Sequence, residues 1–98
     1  MTHTLLSADQ IAAALESLPG WTSDGAQLKR SYRFPDFVSA FDWMTVVAAE
    51  AERIGHHPDW SNVYSGVEVV LSTHDAGGLT ELDVALASFM EAEASEAK

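Results

Sequence analysis

Read along the chain, the element order helix, strand, strand, helix, strand, strand, helix predicts an α+β fold, a four-stranded antiparallel sheet with three helices on one face. Three observations carry this. Apolar residues recur at helical spacing in three segments, each preceded by a capping residue. Between those segments lie two pairs of short runs rich in β-branched and aromatic residues, each pair split by a glycine-containing turn. The links within each pair are too short for the crossover that parallel strands need, so both pairs are antiparallel hairpins. Residues 1–98 make a single domain, because no linker, repeat or low-complexity stretch leaves room for a second.

The first helix starts at Ser7, which can cap, while Gln10 three residues later can return the bond and Leu6 can staple onto Ile11. Ile11, Ala14, Leu15 and Leu18 mark its stripe, and Pro19-Gly20 stops it. Trp21-Thr22-Ser23 and Ala26 to Phe34 then flank Asp24-Gly25, a dipeptide suited to a tight hairpin. Leu28, Tyr32 and Phe34 share one face of the second strand, with Arg30 at the same parity. Asp36 caps a long helix whose stripe runs Phe37, Phe41, Met44, Val47 or Ala48, Ala51 and Ile54, ending at Gly55. Trp43 and Val46 lie off that stripe; extra core is the commoner use of such residues, and a second subunit is the other. Asp59 to Tyr64 and Val67 to His74 form the second hairpin about Ser65-Gly66. Gly77-Gly78 releases the chain into a last helix capped by Thr80, with Asp83 at its third position and Leu79 and Val84 as a staple. Leu82, Leu86, Phe89 and Met90 supply its stripe, and fraying is expected beyond about Glu93.

Charge and composition narrow the function. Fifteen acidic residues against five basic ones give a formal charge of -10, which repels phosphate backbones and anionic lipid, so neither nucleic acid nor membrane is an expected partner. Without cysteine there are no disulfides, thiol redox chemistry or thiolate ligands. The longest charge-free runs fall well short of the ~20 residues that cross a bilayer, and no basic-then-apolar leader opens the sequence, so the expected location is cytoplasmic. A hydrolase finds no support, with no cysteine and no G-x-S-x-G elbow, and Gly77-Gly78 lacks the residues of a phosphate loop.

The remaining chemistry is histidine chemistry. Three of the four histidines fall in two segments, Glu52 to Trp60 and Ser72 to Asp75, while His3 near the start is expected to be inert. If Ser65-Gly66 is a two-residue loop, Tyr64 pairs with Val67, Trp60 with Leu71 and His57 with His74, whose Cβ atoms would lie ~5 Å apart. Pro58 cannot donate to the ladder, so pairing ends or bulges there. Glu52 opposes the macrodipole in the last turn of its helix, at a cost of about 0.3–1 kcal/mol, one turn before His56. A solvated residue beside Glu50 and a carboxylate that orients an imidazole are equally consistent with that spacing. Converging histidines could bind zinc, transfer protons or serve structure. Zinc is the weaker option, since H-E-x-x-H spacing is absent and adjacent His56 and His57 diverge on extended backbone. Imidazoles titrating near pH 6.5 suit acid and base work without a metal.

Taken together, Glu52-x-x-x-His56-His57-Pro58-x-Trp60, Asn62-Val63-Tyr64, Leu71-Ser72-Thr73-His74 and Gly78-Leu79-Thr80 with Asp83 closely resemble the pterin-4a-carbinolamine dehydratases, from the first helix to about Phe89. The resemblance implies the same sheet-and-three-helix fold and the dehydration of 4a-hydroxytetrahydrobiopterin, or a related 4a-hydroxytetrahydropterin, to the quinonoid dihydropterin. It implies no cofactor and no metal. It places His56, His57 and His74 on the family's catalytic histidines, with Glu52 fixing the histidines or the pterin and Trp60 as an apolar wall. Gly55, His56, His57 and Pro58 on one side and Ser72, Thr73, His74 and Asp75 on the other resemble substrate-contacting segments. Gly55 and Ser65-Gly66 are small departures from the family pattern. The family assembles as dimers or as tetramers built from dimers, so a homodimer or homotetramer is implied. Some animal members also stabilise a transcription-factor dimer, a role that nothing in this sequence carries over.

Overall fold

A computed structural model describes residues 4–96, so His3 lies outside the described residues. The predicted order is found: α1 (Ala8–Glu16), β1 (Thr22–Ser23), β2 (Leu28–Arg33), α2 (Phe37–Ile54), β3 (Asp59–Val63), β4 (Gly66–Leu71) and α3 (Glu81–Glu96). The strands form one antiparallel sheet in the order β1-β2-β4-β3, which sets β4 between β2 and β3. Alternation sends Leu28, Tyr32, Val67, Val69 and Leu71 into the core, where residues of all three helices are buried with them. Lys29, Ser31, Arg33, Glu68 and Val63 stand on the opposite, exposed face.

The caps form as predicted. Ser7 Oγ accepts from the Gln10 N–H at 3.1 Å while Gln10 Oε1 accepts from the Ser7 N–H at 2.8 Å. Asp36 Oδ1 accepts from the Ser39 N–H at 2.8 Å. Thr80 Oγ1 accepts from the Leu82 N–H, and Asp83 Oδ2 takes the Thr80 N–H at 2.9 Å. α1 stops at Glu16, before Leu18, and α3 continues past Glu93 to Glu96.

Three expectations are corrected. The first hairpin has a four-residue loop, with Ser23 paired to Leu28, because Asp24 Oδ1 accepts the N–H groups of both Ala26 and Gln27 and so widens the turn. In α2 the buried stripe is Ala40, Trp43, Val47 and Ala51, whereas Phe37 and Phe41 are exposed. Trp43 wins the core position because three rings receive it: Tyr32 at 4.7 Å, Phe34 at 5.1 Å and Trp60 at 6.1 Å between centroids. Its indole N–H also donates to Met90 O at 3.1 Å. Lastly, the second hairpin turns at Tyr64-Ser65, where Tyr64 takes φ 53°, and Gly66 belongs to β4. The Asn62 amide stabilises that turn by donating to Tyr64 O at 3.1 Å and Gly66 O at 2.9 Å. The register therefore moves by two residues: Trp60 faces Val69 instead of Leu71, and pairing ends at Asp59 with Val70, so His57 and His74 are not a cross-strand pair.

Candidate active site

Three chain ends build the site: the end of α2, the end of β4 and the start of α3. At the first, Gly55 adopts φ 68° and ψ 30°, the Gly55 N–H donates to Glu52 O and the His56 N–H to Ala51 O, which together close a Schellman turn. A Cβ at Gly55 would meet no atom within 4 Å, so the left-handed backbone alone asks for glycine there. That turn sends the neighbouring imidazoles in different directions, His56 inward and His57 outward to solvent.

His56 is held by a buried polar network. Its Nε2 lies 2.6 Å from Asp83 Oδ1, and Asp83 is fully buried. The other carboxylate oxygen accepts from Thr73 Oγ1 at 2.8 Å and from the Thr80 N–H, while the two threonine hydroxyls lie 2.7 Å apart. Asp83 thus accepts the Thr80 N–H at the start of α3 with one oxygen and orients His56 with the other. A buried carboxylate survives only when its oxygens are satisfied, and three donors with a helix N-terminus behind them do this.

The other two histidines are exposed. His57 Nε2 lies 2.9 Å from Glu52 Oε1, so the carboxylate opposed to the helix dipole is the one that meets an imidazole. His74 Nε2 lies 3.6 Å from Asp59 Oδ2, beyond a hydrogen bond but within charge contact. Exposed pairs of this kind stabilise by about 0–1 kcal/mol, so their consequence is orientation more than fold stability.

All three imidazoles border one open cavity of about 590 Å³, although the register that would have paired two of them does not occur. Gly55, Pro58, Ser72, Thr73 and Asp75 line it with the histidines, as do Ile54, Asp59, Ala76 and Leu82. Two proposed contact residues stand apart from that lining. Glu52 reaches the site only through His57, and Trp60 is half-buried on the inner sheet face against Trp43. The apolar walls are instead Ile54 and Leu82, with Pro58 and Ala76. Asp83 was legible in the sequence as a helix cap and as part of a resembling motif, without a role at the site, and Asp59 only as the first residue of a strand; no local pattern announces a carboxylate shared between a cap and an imidazole. Among the described residues no group of three or more His, Asp or Glu side chains is arranged to hold a metal ion.

The fold and the cavity define a small α+β protein with a carboxylate-supported histidine cluster. Residues 4–93 match the model of the family described as pterin 4 alpha carbinolamine dehydratase, and the chain belongs to that family. A relative from Mesorhizobium japonicum, named "Putative pterin-4-alpha-carbinolamine dehydratase", is 56% identical over 92 residues, which is 92% of this chain and 94% of that one. A crystal structure of a transcriptional coactivator/pterin dehydratase from Brucella melitensis superposes with a TM-score of 0.87 at 43% identity, covering 91% of this chain and 97% of the other. A pterin dehydratase-like protein identified as a RuBisCO assembly factor in the alpha-carboxysome shares the fold, with a TM-score of 0.62 at 21% identity over 76% of this chain and 86% of its own.

Proposed function

We propose that this chain dehydrates a 4a-hydroxytetrahydropterin, such as 4a-hydroxytetrahydrobiopterin, to the quinonoid dihydropterin and water, with His56, His57 and His74 moving the protons. The observation that carries this reading is the convergence of three imidazoles, each against its own carboxylate, on one open cavity. The reaction breaks the C4a–O bond. An imidazolium gives its proton to the departing hydroxyl, the N5 lone pair forms the C4a=N5 double bond, and a neutral imidazole takes the N5 proton. Atoms and charge balance without oxidant or metal. Asp83 occupies Nε2 of His56, which leaves Nδ1 as the nitrogen for proton exchange with a ligand. Positioned acid or base groups accelerate such steps by roughly 10²–10⁴-fold each. Ile54 and Leu82 offer apolar faces to a flat heterocycle, and Ser72, Thr73 and Asp75 offer polar edges. The quinonoid product, once a separate reductase has returned two electrons to it, would serve the aromatic amino-acid hydroxylases that consume the tetrahydropterin, in the cytoplasm, with the enzyme as a homodimer or homotetramer.

Turnover of 4a-hydroxytetrahydrobiopterin generated in place, followed by quinonoid absorbance, tests the reading. Purified protein should accelerate dehydration and keep full activity after exhaustive chelation. No acceleration, or a loss restored only by zinc, would overturn it. A second reading, a non-catalytic pterin-binding or association module, is favoured by one observation: Phe37, Val38 and Phe41 form an apolar flank of α2 that is 45–64% exposed. Absence of turnover in a chain that still binds pterin would favour that reading.

A further inference from the structure

Apart from its imidazoles, the cavity has only carboxylates as charged neighbours among the described residues. Asp59 and Asp75 line it and are exposed, Glu52 stands against His57, and Asp83 backs His56. No described lysine or arginine is part of its lining. Arg53 is engaged by Glu50, Arg30 lies over the Tyr32 ring near Glu91, and Lys29 and Arg33 sit on the exposed face of β2. Even with all three imidazoles protonated, four carboxylates leave the site negative, within a chain whose formal charge is -10.

We infer that the site selects its pterin by the charge of the C6 substituent, accepting pterins whose side chain is uncharged and rejecting those that carry a carboxylate or phosphate there. The inference rests on the pterin reading and on the geometry of the ring. C6 is bonded to N5, so if N5 and C4a reach the imidazoles, the C6 substituent lies beside the carboxylates that support them. A single negative charge about 7 Å from one unpaired carboxylate, in an effective dielectric between that of a protein surface and water, weakens binding by roughly tenfold.

The test is fluorescence titration of the full chain at pH 7 with two pterins of similar size, 6-hydroxymethylpterin and 6-carboxypterin. At about 20 mM salt the neutral pterin should bind about tenfold tighter. At about 500 mM, where the screening length falls to ~4 Å, the ratio should shrink below about threefold. The Asp59→Asn/Asp75→Asn double variant should lower the ratio at low salt. Equal affinities at low salt, a ratio indifferent to salt, or a ratio unchanged in the double variant would overturn the inference while leaving the pterin reading standing. Failure of both pterins to bind would remove the pterin reading, and this inference with it.

Discussion

Replacing Asp83 separates its structural work from its chemical work. In Asp83→Ala the His56 Nε2–H and the Thr80 N–H lose their acceptor, while the Thr73 hydroxyl can re-aim to Thr80 Oγ1 2.7 Å away. Two buried donors left unsatisfied cost about 1–3 kcal/mol each, so a total loss of about 2–6 kcal/mol is expected. For a domain of this size, with total stability of about 5–15 kcal/mol, that approaches unfolding. Asp83→Asn should behave differently. Its amide can keep an oxygen toward Thr73 and Thr80 while turning its NH₂ toward His56, provided that His56 moves its proton from Nε2 to Nδ1. Exchanging charge-assisted bonds for neutral ones then costs about 1–3 kcal/mol, and the fold survives. The tautomer change puts a proton on the nitrogen that faces the ligand, so His56 can no longer accept one as a neutral base. Turnover should fall by about 10²-fold or more. Urea unfolding gives the stabilities, and nitrogen chemical shifts of the imidazole give the tautomer. A folded Asp83→Asn chain with the proton still on Nε2 and undiminished turnover would refute the reasoning.

Two further outcomes follow from the same structure. Burial raises the Tyr32 phenol above its ordinary value of 10.0, and its 2.6 Å bond to Glu91 Oε1 adds to the shift. With the folded value raised, the stabilisation is full below about pH 10 and is lost as pH climbs above it, so the urea midpoint should fall there and Tyr32→Phe should flatten the decline; parallel declines would contradict this. The exposed flank of Phe37, Val38 and Phe41 predicts at least a dimer by sedimentation at micromolar concentration, with Phe41→Glu shifting it toward monomer, and a wild-type monomer would show that the flank is ordinary surface.

Local chemistry was legible from sequence and tertiary chemistry was not. Ser7 with Gln10, Asp36 with Ser39 and Thr80 with Asp83 act within one turn, so the residue types alone located three helix starts. The α2 stripe was harder because helical periodicity allows adjacent stripes. Phe37 and Phe41 satisfy one of them, but only the aromatic partners Tyr32 on β2, Phe34 just after it and Trp60 on β3 decide that Trp43 turns inward. In the second hairpin, Ser65-Gly66 has turn composition, yet the Asn62 amide holds the turn one residue earlier. A one-residue shift of the turn moves the register by two, so Trp60 keeps its face and the strand pattern stays correct although the partners change. The histidines still meet at one cavity, brought there by the turn after Gly55 and by Asp83 across the start of α3.

If these imidazoles carry the protons, kcat for dehydration of 4a-hydroxytetrahydrobiopterin will fall across His56→Ala, His57→Ala, His74→Ala and the His56→Ala/His74→Ala double variant. Each protein should first be shown to be folded by circular dichroism. His74 is exposed and makes no hydrogen bond to Asp59, so its removal should leave stability almost unchanged while lowering kcat by about 10²-fold or more. The double variant should fall below either single one, with any shortfall from additivity reporting that one imidazole substitutes for another. A folded His74→Ala chain with unchanged turnover, together with a double variant no slower than His56→Ala, would contradict the assignment and leave His74 near the site without a part in the chemistry.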